Sequence, residues 1–250
     1  MTVGNDEEDV DHHAFDLFSS TDNIENECSE ITYDFVNVGS NELHTVRLRF
    51  HEDYTQSTGL SIWKGAEVLC DYLRNHAKEL FANKNPEGNN KGNKEQKVLE
   101  LGAGVGLCSL AAHSLGAERV VATDGDATVL ENLKQNIDMN RVDLDRNIVC
   151  QQLIWGHSTQ MKSILETHGP FDIVLAADVC YMTKSLVPLL STAHALMKDD
   201  GVLILVHQSY SQEVDFHETI VTLGESQGFA WECQRDEPEV YMFRKKQSVP

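Results

Sequence analysis

One stretch of this chain constrains its fold more than any other: residues 97–124, KVLELGAGVGLCSLAAHSLGAERVVATD. A short apolar run stops at Gly102, Gly104 and Gly106, residues at helical spacing follow, and a second apolar run ends on Asp124. The pattern predicts a strand, a turn, a helix and a second strand. Glycines let the backbone approach a ligand, and a carboxylate at the second strand end can accept both hydroxyls of a ribose. The stretch therefore predicts the nucleoside-binding half of a doubly wound sheet.

The spacing of the glycines indicates which kind of nucleoside ligand is bound. A dinucleotide fingerprint needs G-x-G-x-x-G, but here the pattern is G-x-G-x-G and Leu107 takes the place of the third glycine. Glu100, two residues before the first glycine, suits a cationic ligand better than a pyrophosphate. E-x-G-x-G-x-G followed by an acidic second strand resembles motif I of seven-strand, S-adenosylmethionine-dependent methyltransferases. NAD and a glycine turn without a ligand are the weaker alternatives.

The length and the cysteine content of the chain limit the classes of protein to which it can belong. At 250 residues the chain can bury the core of a single domain. Its six cysteines form no C-x-x-C pair, which argues against structural zinc, and we expect no metal site. No apolar run approaches the ~20 residues of a membrane span, and the N-terminus shows no hydrophobic signal. We expect a reducing compartment, the cytoplasm or the nucleus, and no membrane partner.

The formal net charge of −20 bears on possible partners. Half of it lies in residues 1–30, which contain no Lys or Arg. Nucleic-acid binders display basic patches, so the charge predicts no nucleic-acid partner. It suits a basic, lysine-bearing protein, although acidity for solubility explains it equally well. We expect residues 1–30 to form a disordered acidic tail.

The rest of the chain, residues 31–250, is predicted to form one domain. Alternating apolar residues around 31–35 and 46–50 predict a β-hairpin, and helical spacing predicts one helix over 62–81. Strands are expected at 97–101, 120–124, 148–154, 171–177 and 202–206, with helices between them and a closing antiparallel pair at 229–233 and 240–243. The predicted fold class is therefore α/β: a doubly wound, Rossmann-like sheet of seven strands with an N-terminal β-hairpin.

Ligands of open α/β sheets bind outside the carboxyl ends of the strands. The strand ends here carry 100–106, Asp124, Trp155 and 177–181, so these residues should meet at one edge of the sheet although they lie far apart in sequence. Trp155 is a candidate to stack on an adenine, with ordinary core packing as the alternative.

Taken together, these motifs resemble the lysine methyltransferase family 16, whose members modify chaperones, elongation factors, calmodulin and similar proteins. The resemblance covers roughly residues 43–233 and rests on Trp63, ELGAGVG at 100–106, Asp124, LIWG at 153–156, and the D-x-x-Y of Asp178 and Tyr181. It implies that S-adenosylmethionine is contacted by Trp63, Gly102, Ala103, Gly104, Asp124, Trp155 and Ala177, in addition to Glu100. It also implies that Asp178 and Tyr181 stand at the acceptor site.

Methyl transfer requires the protein mainly to position the acceptor amine. A lysine is charged at neutral pH, so its proton must leave before a methyl group is transferred. Asp178 is predicted to hold and orient the amine, and Tyr181 to form a wall beside it. The alternatives are a helix N-cap for Asp178, after the strand, and plain packing for Tyr181.

We therefore predict an S-adenosylmethionine-dependent methyltransferase acting on a protein side chain, with a lysine ε-amine as the leading acceptor and a monomeric state. Val179 and Cys180 replace the prolines found in methyltransferases of nucleobase amines, which weakens a nucleic-acid substrate. A protein histidine, a small-molecule amine and a non-catalytic cofactor-binding module stay open.

Overall fold

The computed structural model describes residues 28–52, 57–82, 96–141, 147–180, 182–208, 216–233 and 239–247, except the side chains of Phe216 and Cys233. Residues 1–27, which form most of the predicted tail, lie outside the described residues. So does Tyr181, one of the two predicted acceptor-site residues.

The described chain opens with the predicted hairpin. Strands β1 (Cys28–Val36) and β2 (Leu43–His51) pair antiparallel along their whole length. Alternate residues face inward, and Phe35, Val46 and Leu48 are buried. Strand β1 begins at Cys28, before the alternating pattern becomes visible at Ile31. The polar residues at its start conceal the true beginning of the strand.

Two helices, not the single predicted one, precede the main sheet. A short 3-10 turn at Thr58–Leu60 leads into α1 (Lys64–Asn75), and α2 (Ala77–Phe81) follows. The break falls at His76, whose backbone leaves the helical region and whose ring stacks on Tyr72 with the ring centroids 4.3 Å apart. The apolar spacing continues across this break and no glycine or proline marks it, so the prediction of one continuous helix was wrong.

The remaining elements alternate along the chain as predicted. They are β3 (Lys97–Leu101), α3 (Leu107–Leu115), β4 (Arg119–Asp124), α4 (Ala127–Met139), β5 (Ile148–Gln152), α5 (Ser158–His168), β6 (Phe171–Ala177), α6 (Thr183–Leu196), β7 (Met197–Val206), α7 (Phe216–Ser226), β8 (Phe229–Cys233) and β9 (Val240–Lys245). Strand β7 starts earlier than residue 202, because Met197 pairs with Phe171 before an irregularity in the register.

The main sheet has seven strands in the order β5-β4-β3-β6-β7-β9-β8. The first five strands in this order are parallel, and β9 runs antiparallel between β7 and β8. The strand order reverses between β3 and β6, so their carboxyl ends form the switch point where such sheets bind ligands. The predicted fold class, including the antiparallel closing pair, is confirmed.

Both faces of the sheet are covered, as parallel strands require. On β6, Ile173 and Leu175 belong to the core beneath the hairpin, α1, α3 and α4, while Val174 and Ala176 belong to the core beneath α5, α6 and α7. These strand residues are at most 2% exposed. In the described part of the chain, no helix has the length and apolar character needed to cross a membrane.

Candidate active site

The glycine turn between β3 and α3 depends on close approaches that other residues would prevent. Gly102 and Gly104 both have positive φ, at 72° and 54°. A Cβ on Gly102 would lie 2.7 Å from Val179 Cγ1, and one on Gly104 would lie 3.0 Å from the carbonyl oxygen of Gly59. The turn is thus packed between the 3-10 turn on one side and the segment after β6 on the other, and glycine is required for both reasons.

Asp124, at the end of β4, is tied to this turn. Its Oδ2 accepts a hydrogen bond from the Gly104 N–H at 3.1 Å, and its Oδ1 accepts one from the Asp126 N–H at 3.0 Å. Burial raises the pKa of the Asp124 carboxyl, and these backbone amides oppose the increase. Each carboxylate oxygen keeps a second lone pair, so the group can still accept hydrogen bonds from a ligand hydroxyl.

Glu100 forms a buried acidic group beside the turn. It is 2% exposed, and its carboxylate accepts a hydrogen bond from the Ser109 hydroxyl at the start of α3. Burial raises the pKa of Glu100 to about 7, although the hydrogen bonds from Ser109 and Cys108 oppose this. A group with that pKa changes charge near neutral pH, and a nearby positive charge would favour its ionised form.

These residues border a cleft of about 470 Å³ at the carboxyl edge of the sheet. Its size lies within the 300–1,000 Å³ range that is typical of small-molecule sites. All eight residues predicted to bind the cofactor line it: Trp63, Glu100, Gly102, Ala103, Gly104, Asp124, Trp155 and Ala177. The structure therefore brings the predicted set together, while their contacts with a ligand remain a prediction.

Asp178 also lines the cleft, and it has structural partners. It follows β6 with a φ of 52°, its Oδ2 accepts from the Gly65 N–H at 2.6 Å, and its Oδ1 accepts from the Gln208 N–H at 2.9 Å. A Cβ on Gly65 would lie 2.5 Å from the Asp178 carboxyl carbon. The carboxylate therefore caps the N-terminus of α1 and not α6, the helix that follows it in the chain. α6 has Met182 at its N-cap without a side-chain hydrogen bond.

The two tryptophans of the cleft play different structural parts. Trp63 occupies the N-cap position of α1, and its indole N–H donates to the Thr58 carbonyl at 2.7 Å. Trp155 is partly buried against the core and approaches the glycine turn, because a Cβ on Gly102 would lie 3.3 Å from its Cζ2. Stacking and core packing, the two alternatives for Trp155, are thus compatible with its position.

The 3-10 turn is a part of the site that the sequence did not predict. Ser57, Thr58 and Gly59 line the cleft, and Gly59 lies against Gly104 on one side and Val129 of α4 on the other. A cluster of Ser, Thr and Gly before a helix is a turn signal, but its place over the glycine turn is a tertiary contact that the sequence does not reveal.

Solved structures share the fold of this chain. A solved structure of a SAM-dependent methyltransferase from Agrobacterium tumefaciens aligns with a TM-score of 0.50 at 15% identity, over 86% of this chain and 70% of that chain. At that identity the likeness concerns the fold alone. It is the fold of S-adenosylmethionine-dependent methyltransferases.

The chain belongs to the lysine methyltransferase family, whose model matches residues 42–222. It is 32% identical to the protein N-lysine methyltransferase METTL21A of Mus musculus, over 70% of this chain and 68% of the relative. It is 30% identical to the protein N-terminal and lysine N-methyltransferase EFM7 of Yarrowia lipolytica, over 63% of this chain. The match spans 61% of the length of EFM7. The predicted family is confirmed, and with it S-adenosylmethionine as the cofactor that the family and fold imply.

Proposed function

We propose that this protein transfers the methyl group of S-adenosylmethionine to an amine of a protein substrate, with a lysine ε-amine as the leading acceptor. The observation that carries the proposal is the cleft at the switch point, where the glycine turn, Asp124 and Glu100 meet Asp178 in a chain of this family. Family membership supports the type of reaction, and the shared cleft supports the choice of residues.

The residues present fit this cofactor. Asp124 would accept the ribose hydroxyls with the lone pairs that Gly104 and Asp126 leave unused, and the glycine turn would let the backbone approach the ligand. Glu100, which is 2% exposed, would supply a buried negative charge for a cationic ligand. Trp63, Trp155 and Ala177 would contribute apolar walls.

When bound, S-adenosylmethionine supplies a methyl group that is already activated by its positively charged sulfur. The protein's part is to desolvate and orient the acceptor amine with its lone pair free. The Asp178 carboxylate, which lines the cleft, would accept an N–H of that amine. Its hydrogen bonds from the Gly65 and Gln208 N–H groups hold the carboxylate in place. Tyr181 is proposed, from the family resemblance, as a wall of the acceptor site.

The acceptor would be a basic protein segment. The net charge of −20 favours encounter with a positively charged partner, since complementary fields speed association. By the family resemblance, we expect the acceptor to be a chaperone, an elongation factor or a similar protein. Separately, we expect this protein to act as a monomer in the cytoplasm or the nucleus. The name of the EFM7 relative adds a second acceptor of the same chemistry, the α-amine of a protein N-terminus.

The experiment is incubation with S-adenosylmethionine carrying a deuterated methyl group and a lysate of the host organism, followed by mass spectrometric location of the label. Gly104→Val serves as the control, because its side chain would collide with Gly59 and fill the turn. Label on a lysine supports the leading proposal, and label on an N-terminal amine supports the second. Label on histidine or on small amines would overturn both. Cofactor binding without transfer would identify a non-catalytic module.

A further inference from the structure

Two buried asparagines, Asn136 in α4 and Asn140 at its C-cap, bind the free edge of the hairpin in place of a third strand. Asn136 and Asn140 are at most 1% exposed and lie one helical turn apart, facing the edge of β2 that β1 does not cover. The side chain of Asn140 accepts from the Arg47 N–H at 2.8 Å and donates to the Arg47 carbonyl at 2.7 Å. Asn136 does the same at Arg49, at 2.9 Å and 3.0 Å. The outward N–H and C=O groups of Arg47 and Arg49 are thereby satisfied.

Asn136 has a further partner that Asn140 lacks. Its Nδ2 also donates to the carbonyl oxygen of Val105, at 2.8 Å. Val105 lies inside the glycine turn, is 4% exposed and lines the cleft. One buried amide therefore touches both the hairpin and the turn that borders the cofactor site.

This contact fixes the orientation of one peptide group in the turn. The peptide between Val105 and Gly106 is held at both ends, since the Gly106 N–H donates to the Ala103 carbonyl at 2.8 Å while the Val105 carbonyl accepts from Asn136. Without Asn136 the Val105 carbonyl would be buried and unpaired, which favours reorientation of the peptide. Val105 is flanked by Gly104 and Gly106, whose backbone dihedrals are less restricted than those of other residues and so resist that reorientation less.

We propose that Asn136 is a positioning residue of the cofactor site, which sets the shape of the glycine turn and couples it to the hairpin. The residue touches no ligand in this proposal. Asn136 affects the glycine turn through its hydrogen bond to the Val105 carbonyl, and the hairpin affects the turn through its hydrogen bonds to Asn136. A change in the position of β2 would then alter the shape of the cofactor site.

Asn140 is the matched control. Both side chains are buried, Asn136 within α4 and Asn140 at its C-cap, and each makes two hydrogen bonds to the backbone of β2. Each also donates to one neighbour of the same segment, Asn136 to the Asn132 side chain and Asn140 to the Asn136 carbonyl, so replacing either one removes these comparable bonds. Only Asn136 reaches the turn. A purely structural role predicts the same behaviour for the two variants, whereas a positioning role separates them.

The experiment compares Asn136→Ala with Asn140→Ala by calorimetric titration with S-adenosylmethionine and by thermal unfolding. Both variants should lower the melting temperature by a similar amount. Asn136→Ala should weaken cofactor binding about 10-fold, the effect of one buried hydrogen bond, and Asn140→Ala less than about 2-fold. Equal affinities for the two folded variants would overturn the proposal.

Asn136→Asp provides a second variant, because it keeps the acceptor for the Arg49 N–H and the side-chain size. It should weaken binding at least as much as Asn136→Ala, since a carboxylate oxygen would then face the Val105 carbonyl. A hydrogen-exchange measurement on the wild-type protein needs no variant. Cofactor binding should slow exchange at the Arg49 amide more than at the Arg47 amide, because coupling between two sites is reciprocal. Equal slowing at both amides would contradict the coupling.

Discussion

The Asp178 carboxylate holds the backbone N–H of Gly65 at 2.6 Å across a sequence separation of 113 residues. The bond joins the N-terminus of α1, where Trp63 sits, to the segment after β6, where the acceptor residues are expected. The other carboxylate oxygen holds Gln208, just after β7. One carboxylate thus links three chain segments around the cleft, so any change at Asp178 alters structure as well as chemistry.

Asp178→Asn should therefore lower both stability and turnover. An amide has one acceptor oxygen for two backbone donors, so one of Gly65 and Gln208 would face an NH₂ group. We expect a loss of about 1–3 kcal/mol in unfolding free energy and a fall in turnover of about 10²-fold. Chemical denaturation and initial rates measure the two effects. Asp34→Asn, at an exposed carboxylate of β1, is the control and should change stability by less than about 0.5 kcal/mol.

Gly65→Ala separates the two roles of Asp178. Its Cβ would lie 2.5 Å from the Asp178 carboxyl carbon and push the two elements apart, but it leaves the carboxylate in the cleft. If Asp178 also orients the acceptor, turnover in Asp178→Asn should fall further than in Gly65→Ala at comparable loss of stability. Equal turnover in the two variants would reduce Asp178 to a structural clamp.

Asp124→Ala should weaken binding of S-adenosylmethionine by more than about 100-fold, because two hydrogen bonds to a charged acceptor, each worth about 1.5–3 kcal/mol, would be lost. It would also release the Gly104 N–H from its partner. Calorimetry on the folded variant gives the affinity. Asp126→Ala is the comparison, since Asp126 caps α4 through the Thr128 N–H at 2.8 Å. It should lower stability by about 1 kcal/mol and change affinity much less. Similar affinities in both variants would refute the ribose role of Asp124.

Cofactor binding should release a proton near neutral pH. Burial raises the pKa of Glu100 to about 7 from 4.5, and a cationic ligand in the cleft would lower it again. Affinity should therefore rise as the pH goes from 6 to 8. Calorimetry in two buffers of different ionisation enthalpy counts the protons. Glu100→Gln should abolish the release, and persistence of the release in that variant would assign it to another group.

The same group also affects the stability of the free protein. Between pH 4.5 and about 7 the folded state keeps the Glu100 proton that the unfolded state loses. The contribution of Glu100 to stability thus falls as the pH rises through this window and stays lost above it. Glu100→Gln should flatten that part of the melting-temperature profile, measured without cofactor.

The acidic segment should be dispensable for folding. A chain beginning at Cys28 keeps all of β1 and should melt at the same temperature as the full chain, because residues 1–27 lack a periodic apolar set. A chain beginning at residue 37 loses β1, including the buried Phe35, and should be strongly destabilised. Thermal unfolding compares the three lengths. A large drop for the first truncation would show that the segment packs on the body of the protein.

Local patterns predict most of the sheet and much of the site. The apolar runs, the glycine turn and the carboxylate after β4 are signals within short windows, and parallel topology brings strand ends together whatever the loops contain. The links between Asp178 and Gly65 and between Asn136 and Val105 were not predictable. Each joins a side chain to a backbone group that is distant in sequence. The residues next to an asparagine or aspartate do not indicate which distant backbone group it will bind. The break at His76 was missed for the opposite reason, because the local pattern there continues undisturbed.

The position of β9 has a consequence for biosynthesis. Although it is the last strand of the described chain, it lies inside the sheet between β7 and β8, and its Phe243 pairs with Leu203 and is fully buried. Until the ribosome has released residues up to Lys245, β7 has an uncovered edge and β8 has no neighbour. The sheet can close only after the residues of β9 have been translated. A premature stop codon before residue 240 would therefore leave an open, aggregation-prone edge beside an otherwise complete cofactor site.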